Sequence, residues 1–253
     1  MTLSLFNRYG IYPSSAISSP IGPIGDLIVD ASSLGLSNGD PVNSYTMGAY
    51  TLSPLSTSPT YNSTGINGHP SIQFSGTDMM KSTTGISDLN NTDYSLYMIG
   101  TTTANGNSDQ HTRIITPGST SNGAWIVNNT FGGTDVRALT GGSAAGIDEY
   151  DMTGKLQFLV STRVDLSLGR KSDMVSLETP ELRTSETVFQ APGSANFHEF
   201  IFTPSVFLSG AGNADGILSS ASTLQFGELR IHTSYLSDQD HEDTIQELLA
   251  KWR

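Results

Sequence analysis

An all-β chain, two antiparallel sheets packed as a sandwich with a single C-terminal helix, is the fold this 253-residue sequence predicts. Three observations carry the prediction. Charged residues make up only 14% against an apolar share of 36%, and Gly, Ser, Thr and Asn fill much of the balance, which is material for turns and polar strand faces. Short apolar clusters alternate with turn signals along the chain, without the intervening helical patterns that βα units would need. A helical period appears only at the C-terminus. The length is at the upper end of one sandwich or barrel and allows a large core without covalent staples.

Residues 1–25 read as an extended arm set apart from a domain at 26–253, because Pro13, Pro20 and Pro23 break regular pairing. Leu3, Leu5, Phe6, Tyr9, Ile11 and Tyr12 give the arm too much apolar surface for a solvated tail, so it is expected to anchor the domain on a partner or to cover its own sheet. Strand-like clusters follow: LIVDAS at 27–32, SIQF at 71–74, YSLYMIG at 94–100, RIIT at 113–116 and AWIVNN at 124–129. The series continues with KLQFLVSTRVDL at 155–166, DMVSL at 173–177, FHEFIF at 197–202 and GELRIHT at 227–233. Asn-Gly pairs at 38–39, 67–68 and 122–123 and Gly-Gly pairs at 132–133 and 141–142 supply hairpin chemistry between them. Leu96, Tyr97, Met98 and Ile99 are apolar at both parities, as a strand covered on both faces requires. In the closing strand Leu229 and Ile231 are expected inward, Arg230 and His232 outward. The helix starts at the N-cap Ser237, with Asp238 and Asp240 in its first turn and Ile245, Leu248, Leu249 and Trp252 on one face.

Composition excludes several function classes. Without cysteine there is no disulfide framework, thiol chemistry or Cys-type zinc site. A net charge of -12 argues against nucleic-acid wrapping or docking on an anionic membrane, both of which need a positive patch. No segment approaches the ~20 apolar residues of a membrane span, so membrane insertion is not expected. Met1 to Ile11 lacks the basic and apolar regions of an export signal, which leads to the expectation of assembly inside a cell.

Three stretches resemble the concanavalin A-like (laminin-G-like) jelly-roll modules of phage virion and bacterial surface proteins. LIVDASSLGLSNGDPVNSY at 27–45 is similar to that family's opening strand and loop, with Tyr45 where an aromatic is usual. PTYNSTGINGHPSIQFSGTDMM at 59–80 resembles its Gly-Ile-Asn-Gly hairpin, and FGELRIHTSYLSDQDHEDTIQELLAKW at 226–252 its closing strand and helix. The resemblance implies a two-sheet jelly-roll sandwich. Together with the missing export signal, the lack of cysteine and the apolar Pro-containing arm, it leads to the expectation of a non-catalytic, multi-copy or homo-oligomeric virion-surface protein, displayed on capsid or tail and held to other virion proteins by the arm. The alternatives are a carbohydrate-binding lectin domain reading host surface glycans, and a glycoside-active enzyme. The superfamily hosts all three, and a fold does not fix a function.

Catalytic patterns are sparse. Glycosidases of this fold place two or more carboxylates along one strand as Glu-x-Asp-x-x-Glu, and the nearest match, Glu149 to Gly154, has Gly154 in place of the last carboxylate. His69, His111, His198, His232 and His241 form no zinc-binding spacing and are expected to be ordinary half-exposed residues. No cofactor is expected except that calcium stays open, with Asn213, Asp215, Asp148 and Asp151 as loop oxygens lacking an Asp-x-Asp-x-Asp-Gly frame. No Gly-x-Ser-x-Gly elbow occurs. Sugar binding survives as the small-ligand chemistry: Trp125 beside Asn128 and Asn129, or Tyr150 beside Asp148 and Asp151, pairs an aromatic with amides and carboxylates. Trp125 as a core residue of its strand is the competing reading.

Overall fold

The strand with apolar residues at both parities, Tyr94–Thr102, lies in the middle of the largest sheet of the computed structural model, and every residue from 94 to 100 is buried. Tyr94, Leu96 and Met98 point into one hydrophobic cluster and Tyr97 and Ile99 into a second. Two apolar layers therefore flank one sheet, as its unbroken apolar run demands. The structure describes residues 27–48, 50–54, 57–75, 78, 80–82, 92–102, 110–113, 115–117, 124–129, 135–140, 147–151, 157–181, 183–188, 197–202 and 223–253. The arm expected at 1–25, with Leu3, Leu5, Phe6, Tyr9, Ile11 and Tyr12, lies outside them, as do Asn213 and Asp215.

Among the described residues the strands run β1 (Leu27–Asp30), β2 (Tyr45–Met47), β3 (Tyr50–Pro54), β4 (Thr60–Ile66), β5 (His69–Ser75) and β6 (Met80–Ser82). They continue with β7 (Tyr94–Thr102), β8 (Gln110–Arg113), β9 (Ile115–Pro117), β10 (Ala124–Asn129), β11 (Asp135–Thr140) and β12 (Ile147–Asp151). Last come β13 (Gln157–Asp165), β14 (Gly169–Ser176), β15 (Arg183–Val188), β16 (Phe197–Phe202), β17 (Thr223–His232) and the helix α1 (Asp238–Trp252). All paired strands are antiparallel. An eight-stranded sheet has the order β15-β14-β13-β7-β17-β5-β4, with β1 also pairing to β17. A five-stranded sheet runs β2-β3-β6-β16-β9, and a four-stranded one β12-β11-β10-β8.

Tyr45, Tyr50, Leu52 and Met80 of the five-stranded sheet meet Ile72, Phe74, Phe158, Leu229 and Ile231 of the large sheet in the first core. This is the sandwich interface. The opposite face of the large sheet is covered by α1, whose Ile245, Leu248, Leu249 and Trp252 pack on Tyr97, Ile99, Leu159 and Val175. Between β4 and β5 the turn is closed by Asn67 at φ 48° and Gly68 at φ 82°, the left-handed pair that a two-residue hairpin requires. Ile66, Ile72 and Phe74 around it are buried.

Leu229 and Ile231 face the core, but Arg230 and His232 do not face water as expected from alternation: Arg230 is half-buried and His232 buried. Covering by α1 is the reason. A register shift between Phe226 and Glu228 in the β17–β7 pair places Gly227 directly under the helix, where an added Cβ would sit 2.6 Å from Trp252 Cη2. Only glycine admits so close an approach of an indole ring to a strand.

Candidate functional site

Helix α1 covers the large sheet unevenly. Under its C-terminal half Ile245, Leu248, Leu249 and Trp252 meet an apolar patch beside the buried Glu228, while the rows of β13, β14 and β15 facing its N-terminal half are polar. Register puts Ser161, Asp173 and Ser185 in one cross-strand row and Arg163, Lys171 and Thr187 in the next. Between these rows and the first turns of α1 lies a cleft of about 240 Å³. Its walls also include Ser172 and Arg183 from the strands and Asp238, His241 and Glu242 from the helix.

Asp173 organises one side of the cleft. Its Oδ1 accepts from Arg183 Nε (3.1 Å) and Nη2 (3.0 Å) and from the Ser185 hydroxyl. Its Oδ2 lies 2.8 Å from His241 Nε2, and His241 Nδ1 lies 2.8 Å from the Tyr97 hydroxyl. Burial pushes the Tyr97 phenol well up, so it keeps its proton, and His241 bridges that hydroxyl and the Asp173 carboxylate through its two ring nitrogens. Burial alone would raise the Asp173 carboxyl too. Hydrogen bonds from His241 and Ser185 and the Arg183 charge outweigh that and hold it well below the usual carboxylate range. The free arm of Arg183 donates through Nη1 to Glu242 Oε2 at 2.6 Å.

Asp238 organises the other side. It accepts from Arg163 Nη1 at 2.8 Å and from Lys171 Nζ at 2.9 Å and 3.2 Å. Hydrogen bonds from Lys171 and Arg163 depress its carboxyl, and the same contact raises the Lys171 amine. Arg163 also donates to the Leu236 carbonyl and lies 5.2 Å over the Tyr235 ring, yet its Nε, like the Ser161 hydroxyl in the neighbouring row, is buried without a hydrogen-bond partner. Buried polar atoms left so are uncommon.

A second charged cluster ties the helix end to the sheet. Buried Glu228 accepts from Lys251 Nζ (2.7 Å), Trp252 Nε1 (2.8 Å) and Arg230 Nε (2.6 Å), and Lys251 also reaches Asp30 at 2.6 Å. Asn67 Nδ2 donates to the Trp252 carbonyl. These contacts hold the C-terminal end of α1 against the sheet.

The sugar-site residues expected from sequence fall on other strands, at positions described by backbone register alone. Asn128 is in register with Val136 and through it with Tyr150, and Asn129 with Asp135 and Asp151. Trp125 pairs with Leu139, and Asp148 with Ala138. The two groupings, separate in sequence, thus lie on β10 and β12, the strands that flank β11. The expectation of half-exposed histidines fails at His232, which is buried, and at His241, which is 3% exposed because it is the hydrogen-bonded link between Tyr97 and Asp173. Among the described residues no group of three or more His, Asp or Glu is gathered for a metal, and no helix is long and apolar enough to cross a membrane.

No protein-family model matches the chain, and no curated protein matches it in sequence. Solved structures do. The receptor binding domain of botulinum neurotoxin C/D mosaic serotype has a TM-score of 0.54 at 12% identity, over 87% of this chain and 50% of that one. The botulinum neurotoxin type G receptor binding domain gives 0.51 at 11%, over 90% of this chain and 51% of that one. A Trypanosoma rangeli sialidase in complex with sialic acid gives 0.50 at 10%, over 83% and 31%. The chain therefore spans about half or less of the length of these proteins, and at such identities the likeness shows the fold: an antiparallel β-sandwich.

Proposed function

We propose that this chain is a non-catalytic carbohydrate-binding module whose sugar site is the cleft between α1 and the β13–β15 rows. The observation that carries this reading is the mixture on one small floor of fixed cations, fixed carboxylates and hydroxyls. Every sugar hydroxyl both donates and accepts, so a site for it has to offer both partners within a few ångströms. The Arg183–Glu242 and Lys171–Asp238 pairs do so, with Ser185 and Thr187 beside them. A volume of about 240 Å³ lies just below the ~300–1,000 Å³ of clefts that enclose drug-sized ligands and suits one small polar ring. The fold is that of a receptor binding domain and of a protein solved with sialic acid, which supports the lectin alternative over the virion one.

The non-catalytic part of the reading is supported by Asp173 and Glu242, which are held by Arg183 and His241, whereas glycoside hydrolysis needs a pair of carboxyls, one of them free to hold and release a proton. Placement on a virion, other virion proteins as partners, and the 1–25 arm as anchor remain proposals resting on the sequence resemblance; mass spectrometry of purified particles tests them.

A glycan array followed by titration calorimetry tests the sugar reading. Binding should weaken roughly tenfold in Glu242→Gln with the melting temperature nearly kept, and should be indifferent to Trp125→Ala. Dependence on Trp125 and Tyr150 instead would move the site to β10–β12. No bound glycan on the array would overturn the reading.

A further inference from the structure

Arg163 and Lys171 are directly opposed residues of the β13–β14 pair, both on the face under α1. Like charges in that relation repel, and an anion lying between them relieves the repulsion. In this structure the anion is Asp238, which is peculiar in position: its side chain is 74% exposed, on the first turn of the helix, while Arg163 is 4% exposed. A buried guanidinium needs its counter-charge, but an exposed carboxylate is stable in water and leaves at little cost. The other carboxylates of the cleft, Asp173 and Glu242, are bound to Arg183. Withdrawing Asp238 alone would therefore open a two-cation cradle within a chain of net charge -12.

We infer that the cleft selects acidic saccharides, the ligand carboxylate replacing that of Asp238 between Arg163 and Lys171 while the ring hydroxyls meet Arg183, Glu242 and Ser185. This rests on the carbohydrate reading above and adds the class of sugar. Asp238 is then an internal competitor that keeps the cradle satisfied when no ligand is bound. A guanidinium and an ammonium converging from adjacent strands give a carboxylate two charge-assisted hydrogen bonds, which a neutral hydroxymethyl group does not match. Arg163 Nε is itself buried without a hydrogen-bond partner, so the present contacts leave that guanidinium incompletely satisfied.

Calorimetric titration of the full chain with D-glucuronate, N-acetylneuraminate, D-glucose and acetate, in wild type, Asp238→Asn and Lys171→Gln, tests this. At least one acidic sugar should bind roughly tenfold tighter than glucose, lose roughly tenfold in Lys171→Gln and gain several-fold in Asp238→Asn. In each variant the ratio of acid to glucose affinity should shift in the stated direction, whatever the change in glucose binding itself. Melting temperatures of the two variants within a few degrees of wild type confirm that the fold is intact. Glucose binding as well as the acids do, or acid affinity unchanged in both variants, overturns the inference and leaves the sugar reading standing. Acetate responding as strongly as the acidic sugars reduces the cradle to an anion site and also overturns it. If no sugar of either kind binds here or on the array, the carbohydrate reading falls as well.

Discussion

Trp252→Ala should lower the melting temperature by on the order of 10 °C, the largest effect expected of any single truncation in this chain. The ring is fully buried against the large sheet, in the cluster that joins α1 to Tyr97, Ile99 and Leu159. Removing a buried tryptophan costs about 3–5 kcal/mol, since the transfer term is lost and a cavity remains. Collapse of that cavity is hindered because Gly227 lies beneath the ring with no side chain to fill the space. The indole N–H is lost as a donor to Glu228, although Lys251 and Arg230 remain on that carboxylate. Thermal unfolding followed by circular dichroism at 222 nm and by near-ultraviolet signal measures the loss. A drop of only a degree or two would show that α1 is an accessory to the sheet and not part of its core.

The second large effect is expected at Asp173→Ala, roughly 5–10 °C, and it should depend on pH. Truncation leaves Arg183, His241 and Ser185 without their common acceptor, and breaking a buried ion pair on one side costs ~3–5 kcal/mol. The low end applies, about 3 kcal/mol, because Arg183 is 30% exposed and keeps Glu242. The Asp173 carboxyl is depressed in the folded state, so its contribution is present above the unfolded carboxyl value of about 3.9 and is lost as pH falls below it. Wild type and variant should therefore differ most near neutral pH and converge on acidification from about pH 5 downward. A gap that stays constant to pH 3 would show that Asp173 acts by packing and not by charge.

Helix α1 was legible in full from the sequence, because its cap, first-turn acids and apolar stripe are all local. Ser237 accepts from the Asp240 amide as an N-cap should, and Ile245, Leu248, Leu249 and Trp252 are the buried face. The Asn67-Gly68 turn and the two-sided strand β7 were equally readable. By contrast β15, Arg183–Val188, carries Arg, Ser and Thr at its exposed positions and gives no apolar alternation, since an edge strand needs none. The cleft was hidden for a different reason. Its members come from three strands and a helix, and Arg163 meets Asp238 across 75 positions, which no local spacing reveals. One clue was available: reading Asp165 to Gly169 as a hairpin turn pairs Arg163 with Lys171, and such a like-charge pair asks for an anion. The burial of His232 and His241 could not be read, because it depends on where the helix lies.

Strand β17 is the last strand of the chain and yet a central one, joined to β7 along one side and to β5 and β1 along the other. Synthesis thus delivers the flanking strands long before the one that unites them. From the end of β7 at Thr102 to the start of β17 at Thr223 the ribosome adds 121 residues, on the order of ten seconds of growth at usual rates. Through that interval the inner edges of β5 and β7 are unpaired, a template for wrong partners. Folding must wait for a non-local closure, which is expected to slow it and to leave the nascent chain exposed to aggregation meanwhile. Fragments ending before Thr223 should accordingly pellet on expression while the full chain stays in solution.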